Sequence, residues 1–153
     1  MPDISETAPD FTLPRDGGGS VTLSALRPGA VVLFFYPRDD TSGCTTEAVA
    51  FSGLADAFAA AGAAVLGISR DTIASHDKFR DKHALTVPLL SDADSDICEK
   101  YGVWREKSMY GKKFLGIERS TFLIGGDGRI AKVWRKVKVP GHAEEVLEAV
   151  KSL

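Results

Sequence analysis

At 153 residues, with 44% apolar and 26% charged side chains, the chain has the size and composition of one soluble domain, residues 1–153, with a core of its own. A net charge of −2 excludes a surface built mainly for nucleic acid, and no apolar run reaches the ~20 residues that a membrane-spanning helix needs. The segment Met1–Glu6 lacks the basic and apolar regions of a signal peptide, so the cytosol is the expected compartment; thiols stay reduced there, and two cysteines form no disulfide framework.

Taken in order, Phe11-Thr12-Leu13 and Val21-Thr22-Leu23 flank the run Gly17-Gly18-Gly19, which predicts an N-terminal β-hairpin. Arg27-Pro28-Gly29 turns the chain into an apolar strand, Ala30 to Tyr36. Thr45 to Ala60 reads as one helix with Phe51, Leu54, Ala55 and Phe58 on its inner face and Gly62 as its stop. Ala63 to Ser69 suits a strand buried on both faces. Asp71 or Thr72 caps a helix ending near His83, on which His76 and His83 look exposed. Val87 to Leu90 is short and extended, and Ser91 to Tyr101 reads as a helix capped by Asp92. After an irregular stretch, Ser120 to Ile124 and Ile130 to Val137 form a hairpin around Gly125-Gly126-Asp127-Gly128, and Gly141 to Leu153 closes the chain as an amphipathic helix. The alternation of strands and helices predicts an α/β fold with parallel central strands, and the late hairpin adds an antiparallel edge: a mixed β-sheet flanked by helices.

Cys44 stands where the first long strand feeds a helix. The unpaired N–H groups and positive dipole end of that turn favour an anion, and the thiolate is the nucleophilic form of cysteine. The position also lies beyond the carboxyl end of a strand, where α/β sheets place reactive groups.

Residues Pro37-x-x-x-Thr41-x-x-Cys44, within Phe35-Tyr36-Pro37-Arg38-Asp39-Asp40-Thr41-Ser42-Gly43-Cys44-Thr45-Thr46-Glu47, match the active-site signature of peroxiredoxins. The wider string resembles the peroxiredoxin Q, or bacterioferritin comigratory protein, subfamily. Ala8-Pro9-Asp10-Phe11, Tyr101-Gly102-Val103-Trp104 and Gly116 to Ile124 resemble other segments of that subfamily, in the right order. The resemblance implies a thioredoxin-like fold, reduction of hydrogen peroxide and organic hydroperoxides by a thiol, no cofactor, and a monomer. It implies that Cys44 becomes a sulfenic acid and that Thr41 accepts a hydrogen bond from the peroxide. A helix cap is the plainer role for that threonine. Arg119 corresponds to the family's active-site arginine; a guanidinium stays charged and holds developing negative charge in a fixed fork. Pro37 shapes the loop and helps exclude water, although a proline after a strand is also a routine terminator. Glu47 either orients Arg119 or compensates the helix dipole, the second being the plainer reading.

Members of the subfamily with a resolving cysteine carry it at positions that fall on Val49 or Arg80 here, and neither is a cysteine. Cys98, the remaining thiol, reads first as a packing residue and second as a resolving one. The expected route is therefore one-cysteine, with thioredoxin, glutaredoxin or a small thiol attacking the Cys44 sulfenic acid; a two-cysteine route through Cys98 is the alternative. A thioredoxin-type dithiol needs a second cysteine beside the first, and the chain has none there. A redox-sensing or metal-binding module would draw on Cys44, Cys98, His76, His83 and His142, whose spacings match no ligand motif. The cationic stretch Trp134 to Val139 reads as a solvated edge strand rather than a nucleic-acid surface.

Overall fold

The computed structural model describes residues 2–153. Thr12–Pro14 (β1) and Ser20–Thr22 (β2) pair antiparallel around the glycine run, giving the expected N-terminal hairpin. Ala30–Phe35 (β3) follows, an unbroken apolar run that only a doubly covered strand accommodates. Ser42–Gly53 (α1) begins three residues before the expected helix, and Cys44 therefore lies inside its first turn.

The expected single helix is two. Ala55–Ala60 (α2) is separated from α1 at Leu54, next to Gly53, whose poor helix propensity marks the break. Ala63–Ser69 (β4) pairs parallel with β3, and Thr72 caps Ile73–His83 (α3) by accepting from the Ser75 N–H at 3.2 Å. Leu89–Ser91 (β5) pairs parallel with β4.

The expected helix from Ser91 to Tyr101 shrinks to Ile97–Lys100 (α4). Asp92 explains the loss. Its carboxylate accepts from the backbone N–H of Ile97 and Cys98 at 3.0 and 2.8 Å, and from the Ser95 hydroxyl, so a side chain holds the turn that helix bonds would have filled.

The stretch expected to be irregular is a second hairpin, Trp104–Met109 (β6) with Lys112–Ile117 (β7), turning at Tyr110-Gly111. Both turn residues have positive φ, 53° and 76°, as a two-residue hairpin turn requires. Ser120–Ile124 (β8) and Ile130–Trp134 (β9) form the late hairpin; β9 ends three residues before the expected Val137, where Lys136 enters the left-handed region. His142–Lys151 (α5) closes the chain with Val146, Leu147 and Val150 inward.

The central sheet runs β5-β4-β3-β8-β9, parallel through β3, β4 and β5 and antiparallel through β8 and β9. Alternation along β3 divides the core by face. Val31, Leu33 and Phe35 join Ile68, Tyr101, Phe122 and Cys98; Val32, Phe34 and Tyr36 join Cys44, Phe51, Phe58, Phe79 and Val146. The Phe34 and Phe51 rings stack at 4.6 Å, and burying each such side chain stabilises the fold by roughly 1.5–3 kcal/mol. That contact fixes α1, and with it Cys44, on the sheet. Among the described residues no helix is long and apolar enough to cross a membrane.

Candidate active site

Cys44 is third in α1, after Ser42 and Gly43, and its side chain is buried against the sheet. Thr41 occupies the N-cap position with extended backbone, and its carbonyl accepts from the Thr45 N–H at 2.8 Å. Its hydroxyl makes no cap bond; it donates to the Arg38 carbonyl at 3.0 Å, which leaves the oxygen's lone pairs available as acceptors. Pro37 and Thr41 both line the cavity described below.

Arg119 precedes β8, the antiparallel neighbour of β3, and so approaches Cys44 from across the sheet end. Its carbonyl is held by the Val137 N–H at 3.0 Å, which fixes the backbone from the far side. One arm of the guanidinium, Nη2, donates to Cys44 Sγ at 3.3 Å; the other, Nη1, donates to Glu47 Oε1 at 2.8 Å. Glu47 lies one turn beyond Cys44 with its side chain 1% exposed. It lies beyond the first helical turn, where the expectation had put it, and its carboxylate braces one arm of Arg119. Burial pushes the Glu47 carboxyl up to about 7, against the pull of Arg119. Its second oxygen, Oε2, is buried and has no hydrogen-bond partner among the described residues. For Arg119, burial opposes the charge, but Glu47 and Cys44 outweigh it and hold the guanidinium more firmly protonated than usual.

Gly43 belongs to this site although its sequence position gave no sign of it. A Cβ there would stand 3.2 Å from Arg119 Nη2, a tight approach that would make the guanidinium give by a few tenths of an ångström. Lys107, on β6, is a second missed contributor: burial and then Arg119 lower its pKa, while Cys44 and Glu118 act against them.

Cys98 is fully buried on the opposite face of the sheet from Cys44, and both thiols are free. Burial, then the Asp92 carboxylate, push its thiol far above the ordinary cysteine range, which suppresses the thiolate that disulfide chemistry requires. Val49 is exposed on α1, and Arg80 pairs with Asp16, Asp77 and Asp81.

The histidines correct the expectation of exposure. His76 is fully buried against Asp39, and His83 is partly buried against Asp40. His142 contacts Thr121 Oγ1 at 2.8 Å. The five thiols and imidazoles thus lie with five different partners. Asp39, Asp71 and His76 bring ligand atoms within 4.8 Å of one another, and all three already serve hydrogen bonds within the protein.

A cavity of about 640 Å³ opens beside Thr41 and Pro37. The second hairpin forms one wall with Trp104, Met109, Phe114 and Leu115; Arg38, Arg70 and Lys107 add charge.

The model of the AhpC/TSA family matches residues 4–133. The chain is similar to the putative peroxiredoxin bcp of Coxiella burnetii, 48% identical over 145 residues covering 95% of this chain and 96% of that one. It is also similar to peroxiredoxin Bcp of Bacillus subtilis, 44% identical over 151 residues covering 99% and 96%. Among solved structures, one of the Xanthomonas campestris bacterioferritin comigratory protein, from work on its alkyl peroxide reduction activity, aligns with a TM-score of 0.88 at 48% identity, covering 93% of this chain and 90% of that one. Peroxidoxin BcpB of Mycobacterium tuberculosis aligns with a TM-score of 0.87 at 34% identity, covering 100% and 99%.

Proposed function

This chain belongs to the AhpC/TSA family, as a peroxiredoxin of the Bcp and peroxiredoxin Q group, and from that membership we propose that Cys44 is its peroxidatic nucleophile, assisted by Thr41 and Arg119. The fold is thioredoxin-like and the protein is a thiol-dependent peroxidase. The observation that carries the residue assignment is the Arg119 fork, with one arm on the Cys44 sulfur at 3.3 Å and the other braced on buried Glu47 at 2.8 Å.

In the reaction, the Cys44 thiolate attacks the terminal oxygen of a hydroperoxide. An S–O bond forms, the O–O bond breaks, and the departing alkoxide or hydroxide takes a proton to leave as alcohol or water. The sulfur is oxidised to sulfenic acid and the peroxide is reduced. Arg119 stabilises the charge that spreads over sulfur and oxygen, and the Thr41 hydroxyl has free lone pairs to accept a hydrogen bond from the peroxide O–H. Pro37 has no N–H to solvate at the cavity wall.

Regeneration runs by the one-cysteine route. An external thiolate attacks the sulfenic sulfur and expels water, and a second thiol reduces the mixed disulfide, releasing the Cys44 thiolate and a disulfide of the donor. Cys98 packs on the other sheet face and supports this route over an internal disulfide. Thioredoxin, glutaredoxin or a small thiol fits as donor, acting in the cytosol on a monomer that works as one domain, residues 1–153. The apolar wall of the cavity favours organic hydroperoxides alongside hydrogen peroxide, and the Xanthomonas relative is described as reducing alkyl peroxides.

The test is Cys44→Ser, assayed with hydrogen peroxide and an organic hydroperoxide against a thiol donor. Consumption of both is abolished while the melting temperature holds. A folded mutant that consumes peroxide near the wild-type rate overturns the assignment.

A further inference from the structure

The loop that delivers Thr41 to the site and opens α1 is fastened almost entirely to one side. The Asp39 N–H donates to Asp71 Oδ2 at 2.9 Å, just ahead of α3. Asp40, in the left-handed region with φ 58°, accepts from Lys82 Nζ at 2.7 Å and pairs with His83 Nε2 at 2.8 Å, both at the end of α3. Between them, the buried Asp39 carboxylate accepts from the Tyr36 hydroxyl at 2.7 Å and the Ser75 hydroxyl at 2.8 Å, and its Oδ2 lies 2.7 Å from His76 Nδ1.

The other ring nitrogen of His76, Nε2, lies 2.9 Å from the backbone carbonyl of Leu90 in β5. A carbonyl oxygen carries no proton, and a carboxylate already accepting two hydroxyl donors is serving as an acceptor. With Asp39 as a carboxylate, both ring nitrogens are donors, and an imidazole with two N–H groups is a cation. We propose that His76, held as an imidazolium, is a positioning residue for peroxide reduction: through Asp39 it fixes the loop that carries Thr41 and presents Cys44. The inference rests on Cys44 as the reacting thiol, which Cys44→Ser tests separately.

The titratable groups facing the ring are Asp39 from the loop, Tyr36 from the end of β3 and Asp71 ahead of α3, with the Leu90 carbonyl from β5. On α3 itself, Arg80 pairs with Asp16 and Asp77, and His83 with Asp40. Burial opposes the charge on His76, but Asp39, the Leu90 carbonyl and Asp71 outweigh it and hold the proton above the ordinary histidine range. The lock is thus complete below the usual histidine value of about 6.5 and is lost as pH rises through the raised value in the folded protein. A neutral ring must turn a lone pair toward either Asp39 or Leu90, and the loop loosens.

The experiment follows the first oxidation of full-length protein by hydrogen peroxide across neutral and alkaline pH, with the His76 ring titration followed by NMR. The wild-type rate constant falls on the alkaline side with the midpoint of the ring. His76→Leu lowers it about tenfold at neutral pH and removes that alkaline fall, since a misplaced reacting group loses rate steeply. Asp39→Asn moves the fall to lower pH, a shift that a merely structural role does not produce. A wild-type rate that stays on its plateau while the ring loses its proton overturns the proposal, whether or not the variants fold. So does a folded His76→Leu protein with the wild-type rate and pH profile.

Discussion

Replacing Arg119 by lysine keeps a positive charge beside Cys44 and removes the fork. In the native site the two arms serve different partners, Cys44 Sγ at 3.3 Å and Glu47 Oε1 at 2.8 Å, and the side chain is 17% exposed. A single ammonium holds one of these geometries at a time and stays with the more deeply buried partner, Glu47. The sulfur then loses one charge-assisted hydrogen bond, about 2 kcal/mol for a group this screened from water, or about 30-fold in the rate constant. The ion pair to Glu47 survives, so the melting temperature stays near wild type. Stopped-flow oxidation by hydrogen peroxide under single-turnover conditions reads the first number, and thermal unfolding reads the second. A folded Arg119→Lys protein with an unchanged rate constant refutes the assignment of Arg119 to the transition state.

Gly43→Ala places a methyl group 3.2 Å from Arg119 Nη2, which shifts the guanidinium by a few tenths of an ångström and lengthens its bond to the sulfur. The expected outcome is a slower peroxide reaction at unchanged or slightly raised stability, since alanine gains up to about 1 kcal/mol over glycine in a helix; kinetics and thermal unfolding on one preparation check both. For Glu47, the folded carboxyl binds a proton up to about pH 7 that the unfolded chain releases near 4.5, so this group makes stability fall as pH rises between those values. Denaturant unfolding across that window shows the decline in wild type, on the order of a few kcal/mol at most, and Glu47→Gln flattens it.

Much of the site was legible because its chemistry is local in sequence. Cys44 is marked by the strand before it and the helix after it, and Pro37 and Thr41 lie within one turn of that junction. The cap of α3 is legible to within Asp71 or Thr72, of which Thr72 makes the bond, and the glycine run marks its hairpin. What sequence reasoning missed depends on contacts between distant segments. Asp92 replaces helical bonds with its own carboxylate, so a helical pattern from Ser91 to Tyr101 yields a single turn. The second hairpin turns on Tyr110-Gly111, and only the glycine following an exposed polar-aromatic residue signalled it. The burial of His76 is not legible in its own helix; the Asp39 carboxylate that justifies it comes from 37 residues earlier. Glu47 lacked a reason to be buried until Arg119 was placed across the sheet end. The two cysteines were seen to sit on different elements, but that these lie on opposite sheet faces required the register of β3.

The central claim, that Cys44 is the reacting thiol and that Cys98 takes no part, meets its most direct test in one measurement: intact and peptide mass after one equivalent of hydrogen peroxide, with a sulfenic-acid trap present. The trap adduct is expected on the peptide containing Cys44, with Cys98 still a free thiol. An adduct on Cys98, or a Cys44–Cys98 disulfide in place of the adduct, contradicts the account.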